Sequence, residues 1–98
     1  MNQRRNRLVT LRQMKNYLGI DGRHLDNQIR AFIGTGIETA EKALRFPLSK
    51  FEDGIPFVVN EAIKFVVASY YANREQTDAQ AVERTVAVML SALRQDNF

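Results

Sequence analysis

The stretch IPFVVNEAIKFVVASYYANRE, residues 55–75, constrains the fold more than any other part of the chain. Its many β-branched residues favour a strand by propensity alone. Their spacing favours a helix, because Val58-Val59, Ala62-Ile63, Val66-Val67 and Tyr70 return to one side with helical period. A strand would send successive residues to opposite faces. Pro56 suits a first helical turn. Asn60, Glu61 and Lys64 leave only a narrow polar side, so the other elements must cover most of this helix. The expectation is a buried central helix over Ile55 to Asn73.

The remaining elements follow from caps and breakers. Thr10-Leu11-Arg12-Gln13 fits a capping box, and Leu11, Met14, Tyr17 and Leu18 then share one face. Gly19 ends this short first helix. Asp21 can cap a long second one, whose stripe is Leu25, Ile29, Phe32, Ile33, Ile37, Ala40 and Leu44. Gly34 and Gly36 lie inside it and cost roughly 1 kcal/mol each relative to Ala, which points to a close helix approach or a kink. Phe46-Pro47 stops the helix, and residues 46–55 form a loop with two aromatics and an Asp-Gly turn. Asp78 caps a last helix with Val82, Val86, Met89, Leu90 and Leu93 on one face. The fold class is therefore all-α: short first helix, long second helix, loop, buried central helix and C-terminal helix in a compact small bundle. The organisation is an arm over residues 1–9, a single helical domain over 10–95 and a tail over 96–98.

With 98 residues there is one domain and one modest core. The chain has no cysteine, so disulfides and thiolate chemistry are excluded. No signal peptide is apparent, because Arg12, Gln13, Lys15 and Asn16 break Leu8 to Ile20. Asn60, Glu61 and Lys64 disqualify the most apolar run as a membrane span. The net charge of +3 is unevenly placed. Residues 1–23 hold six positive side chains against Asp21 alone, a net of +5, and the rest of the chain nets −2. Arg4, Arg5 and Arg7 are thus candidates for contact with DNA or an acidic surface, the alternative being a solvated terminus.

Enzyme signatures are missing. Gly34-Thr35-Gly36 has no preceding strand or following Lys to make a phosphate loop, and His24 stands alone. Glu38 with Glu41, and Asp26 with Arg30, read as surface groups of a helix. No catalytic residue, metal site or cofactor is expected. The segment YLGIDGRHLDNQI, residues 17–29, does resemble the turn of a helix-turn-helix. That motif wants a small residue four places before its glycine, where this chain has Lys15, and an apolar one nine places after, where it has Gln28. The second helix is also long and carries Glu38 and Glu41, which phosphate would repel. A simple joint between helices explains the turn better.

The whole chain resembles the small helical head–tail connector (adaptor) proteins of long-tailed bacteriophages. LVTLRQMKNYLGID, Leu8 to Asp21, is similar to that family's opening pattern of apolar-Thr-Leu, Lys, Tyr-Leu and Ile-Asp. LDNQIRAFIGTGIETAEKAL, Leu25 to Leu44, resembles its long second helix. PFVVNEAIKFVVASYYANRE, Pro56 to Glu75, resembles its most distinctive helix, which ends in Tyr-x-Asn-Arg-Glu. Family members often carry acids where this chain has Gly22-Arg23-His24, and Thr-Gly where it has Arg45-Phe46-Pro47. The resemblance implies a structural virion protein of the head–tail junction, assembled in the host cytoplasm. It implies a closed ring of about twelve copies under the portal protein, extending the channel for double-stranded DNA. It also implies a docking surface for the next head-completion (stopper) or tail protein.

The residues add candidates of their own. Phe46, Phe51 and Tyr71 are candidates for a subunit interface, because the chain has more aromatics than a small core obviously needs, the alternative being that the loop aromatics cover their own core; Gly34 and Gly36 are candidates because they could admit a close neighbour. Arg94, Gln95, Asp96, Asn97 and Phe98 are candidates for portal or partner contact, with Phe98 either an anchor or frayed. A helix-turn-helix DNA-binding regulator and an antitoxin-like partner-binding module remain the alternatives.

Overall fold

A computed structural model describes residues 5–73 and 75–95, with Arg5 and Asn6 described by their backbone only. Helix α1 (Leu11–Leu18) opens on the capping box read from the sequence. The Gln13 amide donates to the Thr10 hydroxyl at 3.1 Å, and the Thr10 amide donates to the Gln13 side-chain carbonyl at 2.9 Å. Gly19 closes the helix with φ 73, and the amides of Gly19 and Ile20 return to the carbonyls of Asn16 and Lys15.

Helix α2 (Asp26–Leu44) starts later than its expected cap. Asp21 does not cap it. The chain turns again at Gly22, φ 82, and Leu25 takes the cap position without a side-chain hydrogen bond. Asp26 instead places a carboxylate in the first turn, where it faces the positive end of the helix dipole. Arg45 ends α2 in the left-handed conformation, φ 69, with its amide bonded to the Glu41 carbonyl at 2.8 Å. A single 3₁₀ turn, Leu48–Lys50, follows. The Glu41 carboxylate holds it by accepting from the Leu48 amide at 2.8 Å. The rings of Phe46 and Phe51 then meet edge to face at 5.3 Å, half-buried against the core.

Helix α3 (Phe57–Ala72) is the centre, as its spacing demands. Val59, Ala62, Ile63, Val66 and Val67 are fully buried. Pro56 stands just before the helix rather than in its first turn. It belongs to a two-residue strand, β2 (Ile55–Pro56), paired antiparallel with β1 (Arg5–Asn6) in the register Arg5 to Pro56 and Asn6 to Ile55. Two-residue strands show no alternation, so nothing in the sequence marked them. Helix α2 lies close against α3 at Gly36, where an added Cβ would stand 3.0 Å from Ile63 Cγ2 and 3.3 Å from its carbonyl oxygen. Gly34, by contrast, faces open space. Helix α4 (Ala79–Met89) is capped by Asp78, which accepts from the Ala81 amide at 3.1 Å, and it buries Val82 and Val86, with Leu90 just beyond its end. The chain then returns to the end of α2, where the Gln95 amide donates to the Leu44 carbonyl at 2.9 Å.

The two glycines of α2 therefore respond oppositely to substitution. Gly36→Val overpacks the contact with Ile63 and is expected to cost about 1–3 kcal/mol in chemical denaturation. Gly34→Ala is expected to add about 0.5–1 kcal/mol, because an exposed helical glycine gives up backbone entropy for nothing. Equal stabilities for the two variants would refute the close approach.

Candidate functional site

The first surface is built on a buried amide. Asn60 lies on α3 with only 7% of its surface exposed, not on the polar side where the sequence reading put it. Its Oδ1 accepts from the Val9 amide at 3.0 Å, and its Nδ2 donates to the Arg7 carbonyl at 2.8 Å. One side chain thus satisfies the main chain of an extended segment at both a donor and an acceptor. With the β1–β2 pairing, this docks residues 5–9 against the start of α3 and buries Val9. The segment lacks helical period because it is extended and tied down. A signal for Asn60 was available: it sits between Val59 and Ile63 on the stripe that must be covered.

Docking this segment creates a groove of about 700 Å³ beside α1 and α3. Two aromatic rings line it with more than half their surface in water, Tyr17 at 57% and Phe57 at 56%. Tyr17 was expected on the inner face of α1; the groove turns it outward, and the core under α1 is filled by Met14. Lys64 places its ammonium 5.5 Å from the centre of the Tyr17 ring and pairs with Glu61 at 3.3 Å. Two large aromatics left in water in one groove are the composition of a contact patch.

The second surface is a cleft of about 370 Å³ between α2 and α4. Lys42, Arg45, Arg84 and Arg94 surround it, with Ala43 and Ala87 also in its lining. Glu83 is the single carboxylate there among the described residues, and it is engaged by Lys42 at 3.2 Å. Val88 on α4 is 75% exposed.

The joint between α1 and α2 is closed by Lys15. Its ammonium pairs with Asp26 at 2.8 Å and donates to the Gly22 carbonyl. The hydrogen bond from Lys15 holds the Asp26 carboxyl below its usual range against partial desolvation, with smaller help from the charges of Lys15, Arg30 and Arg23. Lys15 thus occupies the corner where a helix-turn-helix would place a small residue, and α2 runs for 19 residues. His24 is exposed in the turn before α2. The geometry is that of a braced joint.

The other sequence candidates separate clearly. The space beside Gly36 is filled by Ile63 of its own chain. Phe46, Phe51 and Tyr71 are half-buried against their own core. Arg7 has an exposed side chain and a carbonyl held by Asn60. Arg94 lines the basic cleft, and the Gln95 amide is bonded to α2. Arg4, the Arg5 side chain, Asp96, Asn97 and Phe98 lie outside the described residues. Among the described residues, no group of three or more His, Asp or Glu is placed to hold a metal ion, and no helix is long and apolar enough to cross a membrane.

Two tests follow from these contacts. Asn60→Leu leaves the Val9 amide and Arg7 carbonyl without their partner and is expected to cost about 1–3 kcal/mol; an unchanged denaturation midpoint would contradict the clamp. The Lys15–Asp26 pair is coupled to pH. Because the folded carboxyl is depressed, its stabilisation is complete above the ordinary carboxylate range and is lost as pH falls through the lowered value. Asp26→Asn is therefore expected to melt below the parent at neutral pH, with the gap closing on acidification. A gap that persists in acid would exclude the ion pair as its cause.

No curated protein and no solved structure matches the chain. The family model for phage gp6-like head–tail connector proteins matches residues 8–95, from the extended segment held by Asn60 to the return of the chain onto α2. With nearly its whole length covered, the chain belongs to the phage gp6-like head–tail connector family.

Proposed function

We propose that copies of this chain close into a ring of about twelve subunits beneath the portal, extend the DNA channel and offer their far side to the next head-completion or tail protein. The observation that carries the reading is the exposed pair Tyr17 and Phe57 in one groove. A ring is closed by a heterologous contact, in which one patch of each copy meets a different patch of the next. The aromatic groove is one such patch. Gly34, on the open side of α2, and Val88, on the outer side of α4, leave room for another. Phe46, Phe51 and Tyr71 contribute whatever part of their rings the core leaves uncovered.

In this reading the protein has no catalytic task, needs no cofactor and works within the virion, having assembled in the host cytoplasm. Arg7 belongs to the surface that tolerates passing DNA without reading it, since phosphate contact alone carries no sequence information. Residues 94–98 belong to the portal contact, and within them the Gln95 amide is held on the Leu44 carbonyl.

Sedimentation of the purified chain tests the role of the groove. The parent is expected to form a discrete closed oligomer. Tyr17→Ser combined with Phe57→Ser is expected to stay folded within about 0.5 kcal/mol of the parent, because both rings are exposed. The same variant is expected to lose the oligomer, since a buried aromatic anchor is worth roughly 2–4 kcal/mol. A variant that assembled like the parent would remove the groove from the interface.

A further inference from the structure

We propose that the cleft between α2 and α4 receives the Glu52-Asp53 turn of a second copy of this chain, so that an acidic tip in a basic cleft joins neighbouring subunits. The proposal rests on the ring reading and names a contact within it. Lys42, Arg45, Arg84 and Arg94 line the cleft; Glu83, the one carboxylate among its described lining residues, is engaged by Lys42, and Arg45 and Arg94 have interactions of their own. The Arg84 guanidinium makes no hydrogen bond or ion pair among the described residues. Cations gathered around one cavity repel each other, and an arriving carboxylate relieves that repulsion. Ala43 and Ala87 are small and leave room for a side chain between the charges.

The complementary group is on the same chain. Glu52 and Asp53 are adjacent and exposed in the turn between Phe51 and Gly54, whose φ of 108 suits a tight tip. Neither carboxylate makes a hydrogen bond or ion pair among the described residues, and neither lines the cleft of its own chain. The tip is held out by the 3₁₀ turn and by the edge-to-face rings of Phe46 and Phe51. Guanidinium and carboxylate pair through two parallel hydrogen bonds, which fixes orientation as well as attraction. Tip and cleft are different parts of the surface, so their contact is head-to-tail and propagates until a ring closes. Duplex DNA fits the site less well. Its phosphates run along a convex track, whereas this cleft is small and carries the Glu83 carboxylate.

The absence of native cysteine allows a clean cross-linking test. Asp53→Cys is made in one preparation and Ala87→Cys in another, so that Glu52 and all four cations remain. The two are mixed and oxidised, with sedimentation of the parent run alongside. The expected result is a mixed cross-linked dimer several-fold above the share given by random collision, falling as salt screens the contact. In a second arm, Asp53→Arg and Arg84→Asp each weaken the parent oligomer, and combining them in one chain restores it. A parent that forms rings while the mixed cross-link stays at the random share overturns this contact and leaves the ring standing. A monomeric parent with random cross-links overturns both. Loss of low-salt duplex binding on Arg84→Asp, with cross-linking still random, overturns the proposal in favour of phosphate.

Discussion

Helix α3 is closed to water along most of its length, and this burial dictates where everything else goes. Five of its apolar side chains are fully covered, and α2 can come close enough to cover them only because Gly36 has no side chain in the path of Ile63. A helix so enclosed cannot leave a polar group unpaired, because a buried amide without partners costs more than a hydrogen bond returns. Asn60 therefore needs a donor and an acceptor, and the extended backbone of residues 7–9 supplies both. Once that segment is seated, α1 is fixed above it and Tyr17 and Phe57 are left facing water. The exposed aromatics are thus a consequence of how the core closes.

What could be read in advance depended on whether a feature was local and repeated. The adjacent apolar pairs of residues 58–67 fixed the period of α3 against its β-rich composition. The capping box at Thr10 and Gln13, the left-handed Gly19 and the Asp78 cap each involve residues only a few positions apart, and each formed as read. The misreadings involved partners distant in sequence. Asn60 bonds across more than fifty positions, so its side chain looked like part of a polar face. Asp21 was the nearest cap residue before α2, but the staple from Lys15 to Gly22 and Asp26 draws the chain into one more turn. Tyr17 matched the apolar period of α1, and only the packing of Met14 and the N-terminal segment decided that it faces outward. The β1–β2 pair was too short to leave a pattern. Of the candidate surfaces, the exposed Arg7 side chain and Arg94 were among the residues singled out; the basic cleft as a cluster required α2 and α4 to be brought together.

At both ends of α2 the chain takes a backbone conformation with positive φ. Gly22 adopts a positive φ in the joint that Lys15 braces. Arg45 takes a left-handed conformation that glycine adopts more cheaply. Arg45 also lines the α2–α4 cleft, so a residue costly to the backbone contributes charge to a surface. Family membership accounts for the helical scaffold. The aromatic groove and the basic cleft are lined by different residues, as the proposed head-to-tail contact requires.

The proposed role is that of one member of a closed ring on a portal. Electron imaging of the purified chain mixed with the portal protein encoded in the same genome tests it most directly. The expected image is a continuous ring of this chain, coaxial with the portal channel and on its outer end, at a fixed number of copies. A portal that remains bare at concentrations where the chain is in excess, or that carries isolated copies with no contact between them, would contradict it.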